Sequence, residues 1–382
     1  MKKIILQGRG ACLRAAVIER GELTEVLEEE CSGLTGSIYR ARVENVLPGM
    51  QAAFVDIGLE KNAFLTIQPG VDIRALLQPR QALVVQLIKE PTGNKGARVT
   101  TELTLPGRYA VLLPAAREAG VSLRIDDPAE RERLKNLAAT LCPAGMGLIL
   151  RTMAEGQSSA EIAADIQKVS ELWRRISQRI EHTPIPGLIY REANLLTILT
   201  RDVIDGSVEQ IIVDDENTAG LLRSALREIK HPAARCVRVN LRDDLWEIYD
   251  VHQEISKALR PKVWLKCGGY LVIEPTEALV VIDVNTGKNT GKQSMAETIL
   301  QTNVEAAAEI ARQLRLRNLG GIIVIDFIDM EREEDRLHVL KQLEQSCQND
   351  KMKFQVVGLT KLGLVEMTRK RAGKPLSARY TI

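Results

Sequence analysis

Two runs of β-branched residues that end in carboxylates constrain the fold more than any other feature. The first runs from Val280 through Asp283 to Asn285, and the second runs from Ile322 to Asp326. Such runs predict central strands of a sheet buried on both faces. An unpaired Asp is costly to bury, but at a strand's carboxyl end it opens into the crevice where α/β sheets bind ligands. Two such acids on neighbouring strands could share a hard cation such as Mg²⁺, which prefers oxygen ligands.

These polar side chains predict metal-assisted phosphate chemistry. Asp283 and Asn285 are two residues apart, so they share one face of a strand. We take Asp283 and Asp326 as catalytic metal ligands and Asn285 as the residue that orients them by hydrogen bonding. A water activated by the ion could attack a phosphodiester. Asp329 is out of phase with Asp326, so we expect it to cap the next helix. The alternative is that Asp283 and Asp326 themselves cap helices or turns.

A second acidic pair competes with these residues. Asp214 and Asp215 follow a strand predicted at 210–213. A helix is predicted to follow from Thr218, which makes Asp215 or Asn217 a natural N-cap. No second acid-tipped run accompanies this pair, so we rank it below Asp283 and Asp326.

Bulk composition sets limits on the class of protein. The chain has 382 residues, enough for two to four domains, and a net charge of +2 that does not by itself indicate nucleic-acid binding. No run of about 18 apolar residues occurs, so no membrane span is expected. The six cysteines form no Cys-x-x-Cys pair, which favours reduced thiols in a cytoplasm over a zinc site or a disulfide framework. We expect the local basic clusters to be solvated helix faces: Arg312, Arg315 and Arg317, and Arg369, Lys370, Arg371 and Lys374.

Residues 36–105 contain five short predicted strands, which is typical of a small closed barrel of the OB type. Two of the four phenylalanines, Phe54 and Phe64, lie in this block. OB barrels bind single strands by stacking bases on surface aromatics, with basic residues along the backbone. Lys89 and Lys95 could supply that charge. The alternative, that both rings fill the barrel core, stays open at this point.

Residues 106–190 show a different pattern. A capping box at Ser158 and Glu161 begins a helix with an apolar stripe. Before it, a strand at 146–150 leads to Arg151 and Thr152, an arginine–hydroxyl pair that could clamp a phosphate.

From about residue 259 the α/β pattern is strong. A long amphipathic helix is predicted from Glu297 to Arg317, ended by Asn318 and Gly320.

Several of these segments closely resemble the catalytic region of the ribonuclease E/G family, in the same order along nearly the whole chain. The most specific are the two acidic runs and the helix between them, with Thr302–Ala307 and Glu309–Arg317. Segments 52–56, 93–96 and 145–152 resemble the family's barrel and sensor regions.

The resemblance implies an α/β fold of several subdomains. Residues 1–35 and 191–258 would form a split, non-catalytic RNase H-like subdomain. Residues 36–105 would form an S1-type OB barrel, and 106–190 a 5′-sensor subdomain. Residues 259–382 would form a DNase I-like catalytic subdomain.

The resemblance also implies a function. Family members are Mg²⁺-dependent bacterial endoribonucleases that cut single-stranded RNA in RNA processing and mRNA decay, leaving 5′-phosphate and 3′-hydroxyl ends. Their metal-holding, orienting and RNA-binding residues match Asp283 with Asp326, Asn285, and Phe54, Phe64, Lys89 and Lys95. Their pocket for a 5′-monophosphate, a preferred substrate end, matches Gly107, Val111, Arg151, Thr152 and Lys353. Better-known members carry Arg at the last position, and Lys cannot make a fork, so weaker monophosphate sensing is expected.

Two alternatives accompany this interpretation. One is a non-catalytic single-stranded RNA-binding module. The other is an α/β phosphatase, which the absence of a P-loop and the presence of a barrel disfavour. Family members form homodimers through a Cys-x-x-Cys zinc link and a small domain. A homodimer stays open here, since the zinc-link cysteines are absent from this chain.

Overall fold

The computed structural model describes residues 2–8, 12–29, 34–67, 73–91, 95–191, 194–242, 244–287, 294–348, 350–371 and 373–381. The chain divides into two compact units. The first unit comprises Met1–Glu28 and Gly206–Ile382, and the second comprises Glu29–Asp205. Thr92, Gly93 and Asn94, part of the turn predicted before the last barrel strand, lie outside the described residues.

The elements follow one another in chain order. The first unit opens with β1 (Lys2–Gln7), β2 (Arg14–Glu19) and β3 (Glu22–Glu28). The second unit contains β4 (Ile38–Leu47), β5 (Ala52–Asp56), β6 (Ala63–Thr66), α1 (Ile73–Leu76), β7 (Ala82–Lys89), β8 (Arg98–Thr100), β9 (Leu105–Pro106), β10 (Ala110–Leu113), β11 (Ala119–Val121), α2 (Pro128–Leu141), β12 (Gly147–Leu150), α3 (Ser159–Ile180), β13 (Gly187–Tyr190) and α4 (Leu195–Ile198). The chain then returns to the first unit with β14 (Val208–Val213), α5 (Glu216–Glu228), β15 (Val237–Val239), α6 (Leu245–Ile248), α7 (Val251–Ala258), β16 (Lys262–Trp264), β17 (Tyr270–Pro275), β18 (Leu279–Asn285), α8 (Met295–Leu316), β19 (Gly321–Asp326), α9 (Glu333–Cys347), β20 (Phe354–Leu359) and β21 (Val365–Arg369).

The first unit contains a five-stranded sheet in the order β15-β14-β1-β2-β3. Strands β1, β14 and β15 run parallel, and β2 and β3 complete the sheet as antiparallel neighbours. Ile5, Ile212 and Trp246 are buried in its core. The strand predicted at 210–213 is confirmed and begins two residues earlier.

A six-stranded sheet, β16-β17-β18-β19-β21-β20, carries the two acidic runs on its central strands β18 and β19. These two strands are parallel. Helices α8 and α9 cover one face, where Ile282 and Ile325 pack with Ile310 and Leu343. On the other face Val281 and Ile322 are 38% and 54% exposed. The expectation of strands buried on both faces is therefore wrong, because both helices lie on the same side.

Helix α8 forms close to its predicted position. A capping box joins Ser294 and Glu297, so the helix begins at Met295, two residues earlier than predicted, and Asn318 follows the helix with a left-handed φ of 50°. Such a residue ends helices because its conformation cannot continue the turn. The predicted stop is therefore confirmed.

The arginines at the end of α8 are not solvated, which overturns the expectation of an exposed helix face. Arg315 has a side chain that is 8% exposed and pairs with Glu19 and Glu25 at 3.1 and 3.0 Å. Lys351 also pairs with Glu25, at 2.8 Å. Burial opposes ionisation of Glu25, but the charges of Lys351 and Arg315 outweigh it and lower its pKa to about 2. In the second cluster, Arg369 is buried and pairs with Asp350 at 2.5 Å, whereas Lys370, Arg371 and Lys374 are exposed as expected.

The second unit contains a closed barrel of five strands in the order β4-β5-β6-β8-β7, closed by pairing of β4 with β7. Strand β13 adds a sixth strand along β4. The predicted small OB-like barrel is thus confirmed at the level of its strands, within a mixed α/β chain. The finer division into four subdomains stays a prediction.

The rest of the second unit is a four-stranded sheet, β11-β12-β10-β9, packed against α2 and α3. The capping box of α3 forms as predicted: the Ser158 hydroxyl accepts from the Glu161 N–H, and the Glu161 carboxylate accepts from the Ser158 N–H.

The thiols depart in part from expectation. Cys142, Cys236, Cys267 and Cys347 are free, but Cys12 is disulfide-bonded, so the expectation of reduced thiols fails at that residue. Among the described residues, no helix has the length and apolar character needed to cross a membrane.

Candidate active site

Asp283 and Asp326 lie directly beside each other at the ends of β18 and β19. The two residues are register partners in the parallel pair, so their side chains share one face of the sheet. Neighbouring strands are about 4.8 Å apart, which places the two carboxylates within reach of a common ion. Both residues are exposed on the face that α8 and α9 leave open. They line an open depression of about 320 Å³ with Val284, Asn285, Thr286, Phe327, Ile328 and Asp329.

Asn285 contacts the first acid directly. Its Nδ2 donates to Asp283 Oδ2 at 2.8 Å, which fixes the orientation of that carboxylate. Helices α8 and α9 follow the two acidic strands, and their N-cap residues are Ser294 and Arg332. The alternative in which Asp283 and Asp326 cap these helices is therefore wrong.

Asp329 does not cap a helix either. Helix α9 begins at Glu333, four residues later, and its N-cap is Arg332. Arg336 Nε donates to the carbonyl of Met330 at 2.8 Å, which ties the intervening loop to α9. Asp329 instead lines the depression with the other acids.

Two polar residues of α8 hold neighbouring loops: Asn303 holds the loop after β19, which lines the depression, and Glu305 holds the turn between β16 and β17. Asn303 is fully buried, and its amide both donates to the Ile328 carbonyl at 2.8 Å and accepts from the Ile328 N–H at 3.1 Å. The Glu305 carboxylate accepts from the N–H groups of Lys266 and Cys267 in the turn between β16 and β17. Our sequence reasoning assigned no role to either. The available signal was a polar residue on the buried stripe of an amphipathic helix.

A glycine in the same turn permits a close backbone approach. A Cβ on Gly269 would lie 2.8 Å from the carbonyl oxygen of Asn285 and 2.9 Å from Thr302. A larger residue would therefore push the turn away from β18 and its polar end.

The donor set fits a hard divalent cation held by few protein ligands. Within the described ranges, no group of three or more His, Cys, Asp or Glu residues is arranged to hold a metal. Two adjacent carboxylates facing solvent leave the remaining positions of an ion to water and phosphate oxygens, which is how Mg²⁺ is commonly bound. Asp283 and Asp326 are the residues that would hold it.

A row of aromatic and basic residues crosses the outside of the barrel. Phe54 on β5 opposes Phe64 on β6, with ring centroids 5.6 Å apart in an edge-to-face contact. Phe64 is in register with Arg98 on β8, and Arg98 with Lys89 on β7. Phe54 is 37% exposed, so the alternative that both rings fill the barrel core is wrong.

Arg98 is the member of this row that sequence reasoning missed. It is exposed, like Lys89, and lies between that lysine and the aromatic pair. Lys95 is also exposed, on the segment leading into β8. Strand pairing was needed to recognise Arg98, because its neighbours in space are distant in sequence.

The predicted phosphate clamp lies at the end of β12. Arg151 Nη1 donates to the carbonyl of Gly107 at 2.6 Å, and Nη2 donates to Asp202 Oδ1 at 2.6 Å. The Thr152 hydroxyl lies 3.0 Å from that of Ser122. Arg151 therefore has a carboxylate partner that the sequence did not indicate, and its side chain is 27% exposed.

Gly107 is buried where no side chain fits. An added Cβ would lie 2.5 Å from Asp165 Oδ2 and 2.8 Å from Val169. Asp165 accepts from the N–H groups of Arg108, Tyr109 and Ala110, so it holds the loop that leads into β10.

Val111 and Lys353 were also assigned to the predicted pocket. Val111 lies on β10 in register with Ile149 of β12. Lys353 belongs to the first unit, where it is exposed just before β20 and its carbonyl accepts from the Lys370 N–H at 2.7 Å.

The competing acids, Asp214 and Asp215, both hold backbone N–H groups. Asp214 is fully buried and accepts from the Gly8 N–H at 2.6 Å. Asp215 caps α5, as predicted, by accepting from the N–H groups of Asn217 and Thr218 at 3.2 and 2.7 Å.

Comparison with known proteins gives a consistent assignment. The family model described as "Ribonuclease E/G family" matches residues 104–372. Ribonuclease G of Escherichia coli (strain K12) is 44% identical over 378 residues, which cover 94% of this chain and 77% of the relative. Ribonuclease G of Haemophilus influenzae is 43% identical over 383 residues, 95% of this chain and 78% of the relative. Ribonuclease E of Nostoc sp. is 42% identical over 374 residues, 94% of this chain but 54% of the relative. The chain therefore belongs to the ribonuclease E/G family of endoribonucleases.

Proposed function

We propose that the chain is a Mg²⁺-dependent endoribonuclease that cuts single-stranded RNA and leaves 5′-phosphate and 3′-hydroxyl ends. The observation that carries the proposal is the register pairing of Asp283 with Asp326 on an open sheet face. Its cellular role would be RNA processing, including that of rRNA, and mRNA decay in the cytoplasm. Members of the family form homodimers, so the oligomeric state of this chain is a separate question.

The chain's own residues would divide the work at this face. Asp283 and Asp326 would hold the ion, and Asn285 keeps the Asp283 carboxylate in position through its amide. Asn303 fixes the loop after β19 that lines the depression, and Glu305 fixes the turn between β16 and β17. When bound, the metal would lower the pKa of a water and stabilise negative charge on the phosphoryl oxygens.

The outer row of the barrel supports binding of a single strand. Phe54 and Phe64 offer ring surface for stacking unpaired bases, and Arg98 and Lys89 continue the row with positive charge. Lys95 adds a further exposed charge nearby in the sequence. Base stacking needs unpaired bases, so this surface favours single-stranded over duplex RNA.

Preference for a 5′-monophosphate would depend on Arg151 and Thr152, with Gly107 and Val111 shaping the surrounding loop and strand. The guanidinium is already bonded to Asp202, so a phosphate would share or replace that carboxylate. Because Asp202 partly neutralises the charge, the gain from the phosphate should be modest.

A cleavage assay with an EDTA control tests the proposal. Purified protein is incubated with an A/U-rich oligonucleotide and Mg²⁺, with and without excess EDTA. We expect internal cleavage that EDTA abolishes, with product ends that a 5′-phosphate-dependent exonuclease degrades. Tight RNA binding without any EDTA-sensitive product at stoichiometric protein would instead support a non-catalytic RNA-binding module.

The same assay with 5′-hydroxyl and 5′-monophosphate substrates tests the sensor. Faster cleavage of the monophosphate substrate is expected, and Arg151→Gln should remove the difference while preserving cleavage of the 5′-hydroxyl substrate. Equal rates on both substrates in the unaltered protein would contradict a working 5′ pocket.

A further inference from the structure

The open face of the catalytic sheet carries more than the two acids. Residues in register across neighbouring strands point to the same side of a sheet. One row runs from Lys262 on β16 through Val272 on β17 to Asp283. The next row runs from Trp264 on β16 through Tyr270 on β17 to Asn285. Two aromatic residues and a lysine therefore share the face of the candidate active site.

Lys262, Trp264 and Tyr270 form one compact group, which we call the β16–β17 cluster. The rings of Trp264 and Tyr270 have centroids 5.4 Å apart in an edge-to-face arrangement. The Lys262 ammonium lies 4.3 Å from the Trp264 ring centroid and 3.6 Å from that of Tyr270. The cluster thus combines π surface with positive charge, the two properties that bind single-stranded nucleic acid.

The exposure of Trp264 is the feature that needs an explanation. It is one of three tryptophans in a chain with 3% aromatic residues. Trp246 is fully buried, whereas Trp264 keeps 58% of its surface exposed even with Lys262 in contact. A large exposed aromatic beside a catalytic site is typical of a binding surface.

The cluster lies close to the acids. Tyr270 is on the strand next to Asn285, and Trp264 is one strand further away, at about two strand spacings or 10 Å. A base close to the phosphodiester between Asp283 and Asp326 would therefore reach the rings.

We propose that the β16–β17 cluster is a stacking platform for an unpaired base of the RNA beside the scissile phosphodiester. Trp264 would provide the ring surface, Tyr270 would support its edge, and Lys262 would attract the backbone phosphates. The inference rests on the proposed function, because it assigns the platform to the substrate of that site. Its residues differ from those of the aromatic row of the barrel.

A simpler explanation is that the cluster only stabilises an edge strand. Cation–π contacts at exposed sites contribute about 0.5–1 kcal/mol to stability. In that case, loss of Trp264 would lower the melting temperature slightly and leave RNA affinity unchanged. The two explanations therefore predict different results for the same variant.

Equilibrium binding provides the first test. Affinity for a fluorescent A/U-rich oligonucleotide is measured in an Asp283→Asn background, so that cleavage does not consume the RNA. Trp264→Ala should weaken binding about tenfold, whereas Trp264→Phe, which keeps a ring, should weaken it by less than about threefold. Val357→Ala removes an exposed apolar side chain on β20, at the opposite edge of the sheet, and serves as the matched control with unchanged affinity.

Intrinsic fluorescence provides a second test that does not depend on the stability of the alanine variant. Stacking of a base on Trp264 should quench its emission when RNA binds. The quenching should disappear in Trp264→Phe while Trp173 and Trp246 remain. Identical quenching in Trp264→Phe, or unchanged affinity in a folded Trp264→Ala, would overturn the proposal.

Failure of this inference can be distinguished from failure of the proposed function. If the unaltered protein cleaves RNA but Trp264→Ala changes neither affinity nor kcat/KM, the platform is wrong and the nuclease stands. If the unaltered protein does not cleave but Trp264 is quenched by RNA, base stacking on Trp264 stands and the catalytic proposal fails.

Discussion

Two sheets of the first unit end hydrophobic strands in aspartates, and they use those aspartates differently. In the five-stranded sheet, Asp214 is fully buried against the Gly8 N–H and Asp215 caps α5. In the six-stranded sheet, Asp283 and Asp326 lie exposed on the face opposite α8 and α9, which no helix among the described residues covers. The local sequence pattern is similar, so the surroundings decide the role. Carboxylates saturated by backbone N–H groups are structural, and paired carboxylates that face solvent are available for chemistry.

The largest expected effect is on catalysis at the exposed pair. Asp326→Asn keeps the shape of the side chain but removes one of two charges that would hold the ion. Loss of several kcal/mol of transition-state stabilisation corresponds to a fall of about a thousandfold in kcat/KM. The rate of oligonucleotide cleavage measures this, with the melting temperature as control. Near-normal cleavage by a folded Asp326→Asn protein would contradict the catalytic role of the exposed acids.

The buried acid should show the opposite behaviour. Asp214→Ala leaves the half-buried Gly8 N–H without this acceptor, and an orphaned buried donor costs up to about 1–3 kcal/mol. We expect a lower midpoint of urea denaturation, with kcat unchanged once it is corrected for the folded fraction. A folded Asp214→Ala protein that has lost cleavage would show that Asp214 is needed for catalysis.

Asn285 tests whether the exposed acids depend on an orienting hydrogen bond. Its amide holds Asp283 Oδ2, and loss of such a supporting hydrogen bond typically lowers activity or metal affinity by about 10- to 100-fold. Asn285→Ala should therefore cleave more slowly and need more Mg²⁺ for half-maximal rate. Asn285→Asp, which removes the donor, should not restore the rate. An unchanged Mg²⁺ requirement in the alanine variant would argue against an orienting role.

The smallest effect is expected at the helix cap. Asp215→Ala removes an acceptor for the Asn217 and Thr218 N–H groups at the start of α5, which should cost about 1 kcal/mol. Asp215→Ser, which can still cap, should recover most of the stability. Thermal unfolding measures both variants, and a catalytic defect in Asp215→Ala would not fit this account.

Local signals in the sequence predicted much of this arrangement. The capping box at Ser158 and Glu161, the cap at Asp215 and the stop at Asn318 each depend on hydrogen bonds within a few residues. The pairing of Asp283 with Asp326 could also be predicted from the sequence. Two acid-tipped β-branched runs separated by one helix are typical of neighbouring parallel strands.

Features that depend on distant parts of the chain were not predicted. The open sheet face depends on α8 and α9 sharing one side, which hydrophobic runs alone cannot indicate. The prediction that Asp329 caps a helix was wrong because Asn303 and Arg336 hold the loop after β19. Helix α9 therefore starts later than the sequence suggests. Arg98, Asp202 and Trp264 acquire their neighbours through strand pairing or long-range contacts.

Divalent-cation binding tests the central claim most directly. Binding of Mn²⁺, a paramagnetic substitute for Mg²⁺, is measured by electron paramagnetic resonance in the unaltered protein and in an Asp283→Asn/Asp326→Asn double variant. A site present in the unaltered protein, retained in Asp215→Ala and lost in the double variant is the predicted result. Equal Mn²⁺ binding in the unaltered protein and the double variant would contradict a metal held between β18 and β19.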